Sequence, residues 1–130
     1  MKKRVLVGMT ALLLSLSLLM AQEIPAGVIT AFKRGSSQEL SKYMGDKVNL
    51  VLQGRSTNVD KRKATAMMQE FFTENKVSGF NVNHQGKRDE SSFVIGTLAT
   101  TKGSFRVNCF LKKVQNKCLI HQIRIDKINE

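Results

Sequence analysis

Cys109, Cys118 and His121, within GSFRVNCFLKKVQNKCLIHQIRID, residues 103 to 126, have the side-chain types suited to nucleophilic, redox or metal chemistry. His84, in FNVNHQG, is the other of the two histidines, and Tyr43 is the single tyrosine. Two cysteines allow one intramolecular disulfide. Strand geometry argues against it. With Asn116 and Lys117 as a two-residue turn, Cys109 faces Arg124, six residues beyond Cys118 and about 20 Å away at the rise of a strand. With Val114 to Lys117 as a four-residue loop it faces Gln122, still about 13 Å away, whereas bridged Cα atoms lie within about 7 Å. No disulfide is therefore expected between Cys109 and Cys118, and buried thiols are the default reading. Cys118 and His121 are three residues apart in a strand and so point to opposite faces. The pattern C-x8-C-x2-H also offers at most three ligands, so no metal site is expected. A pairing of Cys109 with His84 from a neighbouring strand stays open.

His84 is the best single candidate for proton transfer. Alternation in FNVNHQG sets Phe80, Val82 and His84 on one face, so the imidazole is expected among apolar side chains. An ordinary pKa near 6.5 suits a general base, and Tyr43 is the available hydroxyl partner; a satisfied core histidine is the competing reading. His84 and Tyr43 are thus the candidate catalytic residues, with ligand-binding residues left unassigned. The ten acids, Glu23, Glu39, Asp46, Asp60, Glu70, Glu74, Asp89, Glu90, Asp126 and Glu130, avoid the middles of the predicted strands. Paired carboxylates that would divide acid and base roles are not visible, which weighs against catalysis. Neither GxGxxG nor GxxxxGK occurs, so no nucleotide loop and no cofactor are expected.

The elements that must position these residues follow a leader. MKKRVLVGMTALLLSLSLLMA combines a basic start, an uncharged apolar run from Val5 to Met20, and the small Ala21. This predicts a signal peptide over 1–21, and a periplasmic or secreted protein. The apolar run falls short of the roughly 20 residues of a spanning helix, so no stable membrane span is expected after cleavage. Residues 22–130 then form one domain, too short for two cores and free of repeats or proline-rich linkers. The 21 Lys and Arg, less Lys2, Lys3 and Arg4, stand against 10 Asp and Glu, a net of +8 for this portion. Such an excess attracts anionic partners in general. The basic residues are scattered as KRG, DKRK, GKR and LKK, which reads as a solvated surface and weighs against nucleic acid as a partner.

Within the domain, Pro25 opens a helix carrying Ile24, Val28, Ile29 and Phe32 on one face, and Gly35 stops it. Ser36 and Glu39 have capping-box spacing for a short second helix with Leu40, Tyr43 and Met44 on one face and Gly45 as its cap. Period-two alternation from Lys47 predicts a strand through Val48, Leu50 and Leu52. QGRSTN reads as a loop. Asp60 then caps a third helix in which Ala64, Met67, Met68, Phe71 and Phe72 recur at i, i+3, i+4, i+7 and i+8. After Ser78, four strands follow: FNVNHQGK, SFVIGTLATT, SFRVNCFLKKV and CLIHQIRID, with short turns at RDES, KG and QNK that imply an antiparallel meander. Gly96 within a strand suggests a bend, and Gly103 a tight turn. The class is α+β, three helices on one face of a curved sheet. Phe93 and Ile95 against Val94 and Leu98 make the second strand of the meander apolar on both faces, so the uncovered face is expected to meet a partner or a subunit copy.

This order resembles the nuclear transport factor 2-like fold, also grouped as cystatin-like or SnoaL-like. EIPAGVITAFKRGSSQELSKYMGDKVNLVL, AMMQEFFTEN, NVNHQGK, FVIGTLATTKGSFRVNCFLKK and LIHQIRI together resemble domain of unknown function 4783, a family of secreted Bacteroidetes-type proteins. The resemblance implies three helices packed on a curved, mainly antiparallel sheet. It brings no activity with it, since the superfamily hosts isomerases, dehydratases, hydrolases and non-catalytic domains. The leading expectation is a small non-catalytic binding or protein-interaction domain with an unknown small ligand or protein partner, forming a homodimer through the sheet face. One alternative is a small-molecule acid/base enzyme of isomerase or dehydratase type, with His84 and Tyr43 in a cone-shaped pocket. Another is an electrostatic binder of anionic glycan or nucleic acid.

Overall fold

A computed structural model describes residues 24–128; the expected signal peptide over 1–21 lies outside the described residues. Helix α1 (Ala26–Arg34) follows Pro25, whose fixed φ suits a helix start, and ends at Gly35. Gly35 adopts a left-handed conformation (φ 62°), and N–H groups there reach the Ala31 and Phe32 carbonyls. Helix α2 (Ser37–Ser41) begins with the Ser36 hydroxyl accepting from the Glu39 N–H at 3.2 Å. It is shorter than the sequence predicts. Met44 and Gly45 belong to strand β1 (Met44–Leu52), because the Tyr43 carbonyl accepts the Ile120 N–H at 2.6 Å and sheet pairing displaces the next helical turn.

QGRSTN is not a loop. Gln53 (φ 51°) and Gly54 (φ 85°) make a two-residue turn of the kind that joins antiparallel strands, and Arg55–Asp60 returns as strand β2 alongside β1. The segment is polar because β2 is an edge strand, and only Val59 among its residues is buried. Helix α3 (Lys61–Glu74) follows at once, capped by Asp60 Oδ1, which accepts the Lys63 N–H at 2.8 Å. Its apolar stripe lands as the spacing predicts: Ala64, Met68, Phe71 and Phe72 are buried and Met67 is partly buried against them.

The meander is β3 (Val77–Arg88), β4 (Ser91–Thr100), β5 (Gly103–Val114) and β6 (Lys117–Lys127). The sheet runs β2-β1-β6-β5-β4-β3, and every pairing is antiparallel except β1 with β6. Register shifts interrupt the β1–β6, β3–β4 and β5–β6 ladders, and such bulges bend a sheet and increase its twist. All three helices lie on one face. Beneath them Val48, Leu50, Phe80, Val94, Leu98, Phe105, Val107, Leu111, Ile120, Ile123 and Ile125 form one core with Val28, Phe32, Leu40, Met68, Phe71 and Phe72. Among the described residues no helix is long and apolar enough to cross a membrane.

Candidate functional site

The interior between helices and sheet is filled by aromatic rings. Phe32 and Phe80 have centroids 5.2 Å apart, Phe71 meets Phe105 edge-on at 5.2 Å, and Phe71 meets Phe72 at 5.7 Å. The two edge-to-face pairs, Phe71 with Phe105 and Phe71 with Phe72, add about 0.5–1.5 kcal/mol each beyond burial. Phe80 reaches across Gly96, where a Cβ would lie 2.5 Å from its Cζ and 2.6 Å from the Asn81 carbonyl oxygen. The glycine predicted to bend its strand instead makes room for a ring, and the neighbouring bulge falls on β3.

That bulge relocates His84. Phe80 pairs with Leu98 and Val82 with Gly96, but His84 pairs with Ile95, one residue out of step. Its imidazole is therefore exposed on the outer face, 5.4 Å from the Phe93 ring, and not on the apolar face with Phe80 as strict alternation predicts. Tyr43 is half-buried on the helix side, its ring lying against Gly27 of α1 where any Cβ would collide with it. The two candidate residues stand on opposite faces of the sheet and do not share a cavity.

The β5–β6 hairpin also departs from both sequence alternatives. Its turn is Gln115–Asn116, both with positive φ, so that Val114 faces Lys117 and Lys113 faces Cys118. A bulge past Leu111 then sets Cys109 opposite Ile123, between the Arg124 and Gln122 that the two turn models predict. Cys109 is fully buried, and desolvation pushes its thiol well above the ordinary value, which removes it as a nucleophile. Cys118 is half-buried and His121 is exposed at the bulge. Among the described residues no three His, Cys, Asp or Glu side chains gather as a metal site requires.

Two other regions gather apolar and polar side chains at the surface. On the outer face, the cross-strand register puts Phe93 beside Phe110, then Gln122 and Asn49; the adjacent row runs His84, Ile95, Asn108, Arg124 and Val51. Phe93, Ile95 and Phe110 are half-buried, Val51 is buried, and the Asn108 Oδ1 is buried without a hydrogen-bond partner. Arg124 Nε donates to Asp126 Oδ2 at 2.9 Å. The second region is a groove of about 360 Å³ between the β1–β2 hairpin and α3. Leu52, Gln53, Arg55 and Thr57 form one wall, and Met67, Glu70, Phe71 and Glu74 form the other. Searching for acids on strands misses this pair of glutamates. The signal that finds them is their i, i+4 spacing on the flank of the Met67/Phe71 stripe.

A family model described as "Domain of unknown function (DUF4783)" matches residues 25–126. The chain belongs to this family. A DUF4783 protein from Bacteroides ovatus is 92% identical, with a TM-score of 0.83 over 85% of this chain and 100% of that one. Another, from Bacteroides uniformis, is 65% identical, with a TM-score of 0.80 over 83% and 100%. An NTF-2 like protein of unknown function from Silicibacter pomeroyi is 11% identical and covers 98% of this chain and 99% of its own, with a TM-score of 0.58. That likeness is one of fold alone, and it makes this DUF4783 domain nuclear transport factor 2-like and α+β. No curated protein matches the chain.

Proposed function

We propose that this chain is a small exported binding domain that performs no chemistry itself, works through the outer face of its sheet, and self-associates there. The observation that carries the reading is the contrast between a cone filled by Phe32, Phe71, Phe80 and Phe105 and an uncovered face bearing Phe93, Ile95 and Phe110. A second copy across a two-fold axis would bring the same patch onto itself and give Asn108 Oδ1 a donor. Export rests on the basic and apolar character of residues 1–21. The acid/base alternative needs His84 and Tyr43 in one pocket, and the fold offers no such meeting.

Sedimentation across a wide concentration range tests this. The expected result is a dimer that Phe93→Asp and Phe110→Asp each convert to monomer while the melting temperature stays within a few degrees. A wild-type protein that remains monomeric at every concentration, with no effect of either substitution, would falsify self-association through this face.

A further inference from the structure

The groove beside α3 is separate from the outer face and has its own chemistry. We propose that it binds a small amphipathic zwitterion, an apolar amino acid or a short apolar peptide with free ends. Glu70 and Glu74 take the ammonium group, Arg55 takes the carboxylate, and the side chains rest on Leu52, Met67 and Phe71.

Size comes first. About 360 Å³ lies within the range of small-molecule sites, roughly 300 to 1,000 Å³. The floor is apolar and fixed, since Phe71 is buried and its ring packs edge-on against Phe72 and Phe105. The walls carry opposite charges, with Arg55 on β2 and two carboxylates one turn apart on α3.

None of these three side chains makes a hydrogen bond or ion pair; among the described residues the ion pairs are Arg34 with Glu39 and Arg124 with Asp126. Like charges at i and i+4 of a helix repel each other, and a bound ammonium between them removes that repulsion. Two acids facing one guanidinium also suit a ligand that bears both charges better than a simple anion, even though the chain as a whole is basic. A third carboxylate, imidazole or thiol that would turn the pair into a metal site is missing among the described residues.

The test uses the purified protein and four probes: leucine, leucyl-leucine, leucyl-leucinamide and N-acetyl-leucyl-leucinamide. Amide chemical shifts locate binding and titration ranks affinity. Leucyl-leucine is expected to perturb Arg55, Met67, Glu70 and Phe71, and the doubly blocked peptide to bind at least about tenfold more weakly, as loss of charge-assisted hydrogen bonds implies. Glu70→Gln with Glu74→Gln should weaken both free-amine peptides by about tenfold without lowering the melting temperature. Arg55→Gln should weaken leucyl-leucine and leave leucyl-leucinamide unchanged. Leucine binding as well as the dipeptide assigns the site to amino acids, and weaker binding assigns it to peptides. Equal binding of free and blocked peptides, shifts confined to other surfaces, or no shifts with any probe overturns the proposal. So does a stability coupling between Arg55→Gln and Glu74→Gln without peptide binding, because the groove's charges would then serve each other.

Discussion

Strand β4 carries Val94 and Leu98 on one face and Phe93 and Ile95 on the other, so the two faces of one strand are chemically alike. Their environments differ. Val94 and Leu98 are completely buried under the helices, whereas Phe93 and Ile95 are half-buried under nothing but their neighbours on the sheet. Apolar alternation alone therefore cannot say which face is core; the covering helices decide that, and the face left over becomes available to a partner. Phe105 and Phe93 put a number on the difference. Phe105→Ala removes a ring packed edge-on against Phe71 and is expected to cost about 3–5 kcal/mol in urea unfolding. Phe93→Ala should cost less than about 1.5 kcal/mol in the monomer, because its ring already meets solvent. Equal losses at the two positions would mean that the outer face is as much a core as the inner one.

Glycines on the sheet sharpen the same contrast at smaller scale. Gly96 faces the helices under the Phe80 ring, and Gly79 has nothing within 4 Å of the place a Cβ would occupy. Gly96→Ala should cost about 1–3 kcal/mol, since the carbonyl of Asn81 cannot move aside as a flexible side chain does. Gly79→Ala should stay within about 0.5 kcal/mol of wild type. A mild Gly96→Ala would show that Phe80 has slack, and with it that the cone can open for a ligand.

Much of this architecture can be read from residue patterns. The caps at Gly35, Ser36 and Asp60 and the stripe from Ala64 to Phe72 are local signals, and local geometry satisfies them. What alternation misplaces depends on contacts distant in sequence. Strand β2 hides behind polar residues because it lies at an edge, and Met44 leaves its helix because β6 supplies a backbone partner. The largest error concerns the candidate site. A single bulge between Val82 and His84 turns the histidine to the outer face, and no residue in FNVNHQG marks that extra position. Asn108 and the groove pair Glu70 and Glu74 escape for another reason: the roles proposed for them depend on what stands opposite them on other elements.

The two cysteines give the smallest test of covered against uncovered positions. Cys109 lies under the helices opposite Ile123, while Cys118 lies near the β5–β6 turn opposite the exposed Lys113. Burial raises the Cys109 pKa above its ordinary 9.0, so the folded protein holds this proton more tightly than the unfolded chain does. The resulting stability is fully present below pH 9.0 and is lost as pH rises from there toward the folded value, by up to about 1.4 kcal/mol per pH unit. Urea midpoints between pH 8 and 10.5 should therefore fall more steeply for wild type and Cys118→Ala than for Cys109→Ala. Wild type and Cys109→Ala share every other side chain, so the difference in slope between them belongs to the Cys109 thiol. Identical slopes for wild type and Cys109→Ala would mean that water reaches Cys109, and that the helices close the inner face less completely than its packing implies.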